Sequence, residues 1–314
     1  MRKNVLLLFV ASFFIGGFLG SCKRSDSKKE KETIIKGKVT ILVDETVKPI
    51  IEDQIAVFEG AYNAEITLVA KSEKEMMQSF LKDTSRIVVL TRELTVDETK
   101  FFEQLNIKPK TTKIATDAIA LISNKKDSDT LIAMKDVVAF LKGSTQTKIK
   151  GLVFDNPNSS TVRYMTALAG VEEVSQKGVY SFKSNEEVVK FVAENEGMIG
   201  VVGVNWLLQP TAKIKDYLTN INVLSVEGLN KNSYFAPTQN NLAEGTYPLA
   251  RDLFIINCQG TSGLGMGFAS FLAGEIGQRI VLKSGMLPAT MPGRKILIKS
   301  RLKWLMRNEN EKNK

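Results

Sequence analysis

The chain has 314 residues, 43% of them hydrophobic and 25% charged, with a formal net charge of +9. This is the balance of a globular chain long enough for two domains of ordinary size. It contains no histidine, which excludes Ser-His-Asp and Cys-His nucleophilic chemistry and every metal site that needs imidazole.

Residues 1–21 stand apart. Arg2-Lys3 is followed by a nearly unbroken apolar run, residues 5–19, shorter than a membrane span and shaped like a secretory leader. The run ends in Leu19-Gly20-Ser21-Cys22. This resembles the bacterial lipobox, which implies cleavage before Cys22 and lipidation of that residue. Residues 22–36 (from Cys22, then KRSDSKKEKETIIK) are a mixed charge run with few apolar residues, read as a flexible tether. Losing Arg2 and Lys3 with the leader leaves +7 on the mature chain. That charge suits an anionic membrane surface or small anions. An exported chain does not meet the genome, and neither an RNP-type aromatic stripe nor zinc-finger spacing is present. Cys258, in FIINCQG, is the cysteine left after Cys22 and reads as a buried, inert thiol.

From residue 37 the apolar pattern alternates between strand and helix. Residues 38–43 (KVTILV) predict a strand, and Pro49 stands at a helix start with Ile51, Ile55 and Phe58 at helical spacing. Residues 65–69 predict a second strand. Ser72 to Glu75 has the pattern of a capping box before Met76, Met77, Phe80 and Leu81. Residues 86–90 predict a third strand, running into Thr91-Arg92-Glu93-Leu94. Strand, helix, strand, helix, strand is the order of a parallel α/β sheet. Thr46, Ser72, Thr91 and Arg92 all follow the carboxyl ends of predicted strands, the edge where such sheets bind ligands. Singly, each is also explained as a cap or turn residue.

Residues 114–123 (IATDAIALIS) predict a long apolar strand, and residues 137–141 a helix. Residues 151–170 (GLVFDNPNSSTVRYMTALAG) follow. A short strand and a turn lead through Ser159-Ser160-Thr161 into a helix closing at Gly170. Hydroxyls and unpaired N–H groups gather at that helix start, a place that holds an anion or is simply capped. Another helix opens at Ser184, and residues 198–204 and 249–257 predict buried strands. The last helices begin near Gly267, and the tail from Lys295 is basic. The glycine-rich GTSGLGMG at 260–267 lacks the Gly-Lys-Ser/Thr of a P-loop and reads as a loop before a helix. No Gly-x-Ser-x-Gly elbow is present, the carboxylates are scattered, and no enzyme activity is expected.

Seven segments in order resemble the periplasmic phosphate-binding proteins of bacterial ABC transporters. They are DETVKP at 44–49, TREL at 91–94, ATDAIALISN at 115–124, DNPNSST at 155–161, GMIGVVG at 197–203, GTYPLARDLFI at 245–255 and FLAGEIGQRIVLKSGMLPA at 271–289. The resemblance implies an α/β fold of two lobes, each a mixed sheet flanked by helices, joined by two crossing strands near Thr116 and Arg251. Lobe 1 is expected at 37–115 plus 252–305, lobe 2 at 116–251, and a basic tail at 306–314. Carried over by position, the anion ligands are Thr46, the Val47 N–H, Ser72, Ser159, the Ser160 N–H and Thr161. The sequence departs from the family at three places. Its Gly-Ser-Gly loop is here Lys71-Ser72-Glu73. Its loop arginine falls on Asp155, and an acidic position falls on Arg92, beside Thr91. Arg92 is then expected to fork onto the anion, and Asp155 to accept a hydrogen bond from a proton that phosphate carries and sulfate lacks.

The expected function is a lipid-anchored monomer that captures inorganic phosphate without a cofactor and passes it to an ABC permease. Three alternatives stand beside it: another oxyanion such as sulfate or molybdate, a phosphorylated small molecule, or an envelope lipoprotein that keeps the scaffold for interaction.

Overall fold

The computed structural model describes residues 32–82, 86–228 and 233–293. The leader, Cys22, residues 22–31 of the expected tether, residues 294–305 of the expected lobe 1 and the basic tail lie outside them. The end of the expected tether is not loose. Thr33 and Lys36 form a β-bridge, and β1 (Lys36–Asp44) starts there. The carbonyl of Ile34 lies where a Cβ on Gly267 would fall, so this close backbone approach requires glycine.

Residues 41–44 of β1 are buried, as a strand covered on both faces must be. A 3₁₀ turn, Glu45–Val47, leads into α1 (Lys48–Ala61), with Pro49 in its first turn and Ile51, Ile55 and Phe58 buried. β2 (Asn63–Lys71), α2 (Glu73–Leu81), β3 (Ile87–Leu90) and α3 (Val96–Gln104) follow, and β1 pairs in parallel with both β2 and β3. The expected capping box at Ser72 does not form. The Ser72 hydroxyl donates to the Glu75 carboxylate at 2.8 Å and caps no backbone N–H. The reciprocal box lies instead at Thr95 and Glu98, before α3.

β4 (Lys110–Asn124) is the long strand shared by both halves of the fold. Next come β5 (Leu131–Ile132), α4 (Met134–Leu141), β6 (Gly151–Phe154) and α5 (Ser160–Ala169). α5 is capped by Ser159 and closed by Gly170 in the left-handed region, φ 64°. β7 (Val179–Ser181), α6 (Asn185–Glu194), β8 (Met198–Gly203) and α7 (Val204–Leu208) complete this half, with β6 parallel to β7 and β8. The chain returns through β9 (Ile221–Val223), β10 (Ser225–Glu227), β11 (Tyr234–Phe235) and α8 (Gln239–Ala243) to β12 (Ala250–Asn257). α9 (Leu264–Ala273) begins four residues before Phe268, and α10 (Glu275–Lys283) and β13 (Leu287–Pro288) follow.

Among the described residues the main sheet runs β2-β1-β3-β12-β4-β8-β6-β7, with β9 and β13 also on β4. β4 changes partners part-way. Lys110 to Ala118 pair antiparallel with β12, and Ile119 to Asn124 with β8 and β9. The result is a two-lobed α/β fold in which β4 runs through both lobes and β12 begins at their junction. The junction is pinned by tyrosines: the Tyr247 hydroxyl donates to the Ile119 carbonyl at 2.7 Å, and Tyr164 to that of Ala250 at 3.2 Å. No helix among the described residues is long and apolar enough to cross a membrane.

Candidate anion site at the lobe junction

Arg251 is the first residue but one of β12 and stands directly opposite Asp117 of β4. Both are buried, and Asp117 Oδ2 accepts from Arg251 Nε at 3.0 Å and Nη2 at 2.9 Å. This leaves the rest of the guanidinium for other acceptors. Nη1 donates to Ser160 Oγ at 2.9 Å and Nη2 to Thr46 Oγ1 at 3.0 Å. The two hydroxyls lie 3.1 Å apart. Thr46 comes from the turn after β1 and Ser160 from the start of α5, so the arginine ties the two carboxyl-edge loops together from below.

Further bonds cross the same junction. The Thr46 carbonyl accepts from Asn205 Nδ2 and Trp206 Nε1, each at 3.0 Å. Both residues belong to α7, which begins where β8 ends. Gln209 also bonds Asp53.

The predicted site residues divide into those that converge and those that do not. Thr46 and Ser160 meet at Arg251, and Val47 is the buried residue preceding α1. Ser159 and Thr161 form a second group in the same helix turn. Their hydroxyls lie 2.7 Å apart, and Thr161 donates to Asp155 Oδ1 at 2.8 Å. Asp155 Oδ2 accepts from Asn185 at 3.2 Å. Both oxygens of Asp155 are therefore engaged within the second lobe. Ser72 is buried but turned to Glu75, and Thr91 is buried with its hydroxyl unpartnered among the described residues.

Arg92 is placed differently from expectation. Its Nη1 and Nη2 fork onto Glu98 at 2.7 and 2.9 Å, and its Nε donates to Glu73 at 2.6 Å. The fork read as an anion ligand closes on a carboxylate of the chain itself. Burial opposes the charge of Arg92, but its hydrogen bond to Glu98 and the charge of Glu73 outweigh this and push its pKa up. Burial alone raises Glu98, yet the Arg92 hydrogen bond holds it below its ordinary value.

Sequence reasoning missed Asp44 and Asp117, and took Arg251 only as a strand crossing. The available signal was charge inside two long apolar segments, Asp117 alone in IATDAIALIS and Arg251 beside Asp252 in LARDLFIIN, since a buried charge needs a partner. Asp44 Oδ1 accepts from the Thr46 N–H and hydroxyl, both at 3.0 Å, while its Oδ2 is buried without a partner among the described residues.

Burial pushes the Asp44 pKa up to about 6, with Arg251 acting against the rise. Burial likewise raises Asp117, against the charge of Arg251, and Asp155, against its hydrogen bonds with Ser159 and Thr161. Glu45, partly buried beside Thr46, is pushed up to about 7 by burial. One buried arginine and the hydroxyls of Thr46 and Ser160 thus meet at the junction, with the carboxyls of Asp44 and Asp117 beside them. Among the described residues no group of three or more His, Cys, Asp or Glu is placed to hold a metal. Burial raises the Cys258 thiol to about 12, the value of an inert group.

A fold of two lobes hinged on paired strands, with polar residues meeting between their loops, defines the class of periplasmic-type binding proteins. The chain matches the PBP superfamily domain over residues 28–275, and it belongs to that superfamily. No curated protein matches it. Three solved structures show the same fold. A Clostridium perfringens chain assigned as a phosphate ABC transporter substrate-binding protein, with bound phosphate, has TM-score 0.65 and 19% identity, covering 81% of this chain and 100% of its own. An ABC-type phosphate transport receptor from Vibrio cholerae has TM-score 0.60 and 18% identity, covering 80% and 100%. The regulatory domain of Synechocystis CcmR in complex with 2-PG has TM-score 0.53 and 13% identity, covering 82% and 100%.

Proposed function

We propose that this chain is a lipid-anchored binding protein that captures inorganic phosphate between its lobes and delivers it to an ABC importer. The observation that carries the reading is the buried Arg251 joined to Thr46 and Ser160, one hydroxyl from each side of the junction. An isolated buried oxyanion is very costly to desolvate, so its oxygens need convergent donors. Thr46, the Val47 N–H, Ser159, the Ser160 N–H and Thr161 supply them beside Arg251. The lobes of this reading are residues 37–115 with 252–305, and residues 116–251, hinged on β4 and β12. Anchoring is through Cys22, on the outer side of a bacterial membrane, with the body acting as a monomer.

The acceptor role read into Asp155 passes to Asp44, because both Asp155 oxygens have partners while Asp44 Oδ2 has none. Ionised Asp44 accepts a hydrogen bond from the P–O–H group of hydrogen phosphate. Sulfate has no such proton near neutral pH and meets an unmatched buried charge. Equilibrium dialysis of the purified mature chain against radiolabelled phosphate at micromolar concentration is expected to show saturable binding that sulfate and molybdate compete for poorly. Absence of saturable binding overturns the reading.

A second reading is favoured by one observation: the Thr46 and Ser160 hydroxyls already bond each other and Arg251. On that reading the junction is a structural tie in an envelope protein that takes no anion. Phosphate then leaves the melting temperature unchanged, whereas a ligand of the folded state raises it.

A further inference from the structure

Glu73 is the first residue of α2 and stands where the family resemblance puts a glycine-rich anion loop. Its side chain is 6% exposed. One oxygen accepts from Arg92 Nε at 2.6 Å within the same lobe, and the other accepts from Arg163 Nε at 2.8 Å, on α5 in the other lobe. Beside this bridge the Lys74 N–H donates to the Asn158 carbonyl at 3.2 Å, again from lobe to lobe. These contacts join the start of α2 to the start of α5, the same turn that carries Ser159, Ser160 and Thr161.

The bridge has two sides. Inward lie Thr46, Ser160 and Thr161, each 0% exposed. Outward lies a crevice of about 1060 Å³ between α2 and α5, with Glu73, Arg92, Ser159, Val162 and Arg163 in its wall. That volume is of the size small organic ligands occupy, and Ser159 in its wall bonds Thr161 of the hydroxyl cluster at 2.7 Å. A free tetrahedral anion held at the hydroxyl cluster has no substituent to send past the bridge. An anion with an organic substituent has to project that substituent through the line of Glu73 and Arg163 into the crevice. Parting them leaves Glu73 buried with half its charge balance gone, which is strongly unfavourable.

We propose that Glu73, by bonding Arg163 across the lobes, restricts the site to the free oxyanion and rejects its monoesters; this rests on the phosphate reading above. Arg92 holds the Glu73 carboxylate in place for that bond. Glu73 and Arg163 are thus specificity residues that need not touch the anion.

The experiment compares inorganic phosphate with methyl phosphate by calorimetry on wild type, Glu73→Gln and Arg163→Gln. Arg163 is 38% exposed, so Arg163→Gln is the variant expected to fold without difficulty. Wild type is expected to prefer phosphate by about a hundredfold or more, which is roughly 2.7 kcal/mol. Arg163→Gln is expected to narrow that ratio at least tenfold by gaining methyl phosphate, beyond whatever phosphate itself loses as the lobes open. A ratio near one in wild type, or one unchanged in both variants, overturns the proposal.

A second readout does not need a ligand. Spin labels on cysteines replacing the exposed Glu103 and Lys177 report the distance between lobes. Arg163→Gln is expected to shift the distribution to longer distances, and an unchanged distribution also overturns the proposal. A wild type that binds neither anion refutes the phosphate reading, and the label distances then decide the bridge separately.

Discussion

At the scale of single residues, the junction is a problem of buried charge. Arg251 stands among Asp117, Asp44 and Asp155, and burial raises the pKa of all three carboxyls. Asp44 illustrates the sign. Its folded-state pKa of about 6 exceeds the ordinary 3.8. Between these values the folded chain binds more protons than the unfolded one, so stability falls as pH rises from about 4 to 6. Glu45, raised to about 7, extends the same slope upward. Asp44→Asn keeps an acceptor for Thr46 but cannot ionise. It is expected to flatten the slope between pH 4 and 6, and to recover at most about 3 kcal/mol at neutral pH. Denaturant unfolding at a series of pH values checks this. An equally steep slope in the variant removes Asp44 as its source.

At the scale of elements, α5 carries two hydroxyl roles one residue apart. Ser159 caps the helix, accepting from the Val162 N–H at 3.3 Å, whereas Ser160 faces Arg251 and Thr46. Ser159→Ala is therefore expected to lower stability by about 1 kcal/mol, the worth of a cap. Its effect on phosphate binding should be the smaller of the two. Ser160→Ala is expected to weaken phosphate by roughly ten- to a hundredfold, the loss of one hydrogen bond to a charged group. Unfolding curves and calorimetry on both variants separate the roles. Equal binding losses in the two would mean that cap and ligand are not distinct.

At the scale of the whole molecule, the lobes meet with little spare room. Gly203 ends β8, and a Cβ there would lie 2.8 Å from the Thr46 carbonyl and 3.0 Å from Asn205 Nδ2. Its φ is −68°, so alanine introduces no backbone strain and acts only by pushing. Gly203→Ala is expected to lift the Thr46 turn from α7 and favour an open arrangement. Small-angle scattering should show a larger radius of gyration, and phosphate affinity should fall by about tenfold, near 1.4 kcal/mol. Unchanged size and affinity would show that the Thr46 carbonyl contact does not govern closure.

Much of this was legible from the chain alone because it is local. Periods of two and of 3.6 residues placed most strands and helices, and Ser159 and Gly170 marked the ends of α5 as their backbone preferences require. The hydroxyls at the carboxyl edge were equally visible, since each lies in the short connection between a strand and the helix after it or in that helix's first turn. The cation was not. Arg92 and Arg251 both occupy family-like segments, and nothing within either segment says which reaches the site. That choice depends on Glu73 and Glu98 folding around Arg92, and on β4 and β12 pairing so that Asp117 faces Arg251 from 134 residues away in sequence. Strand register and the partner of a buried charge are long-range properties: they follow from which surfaces exclude water together, and only the assembled tertiary structure decides that.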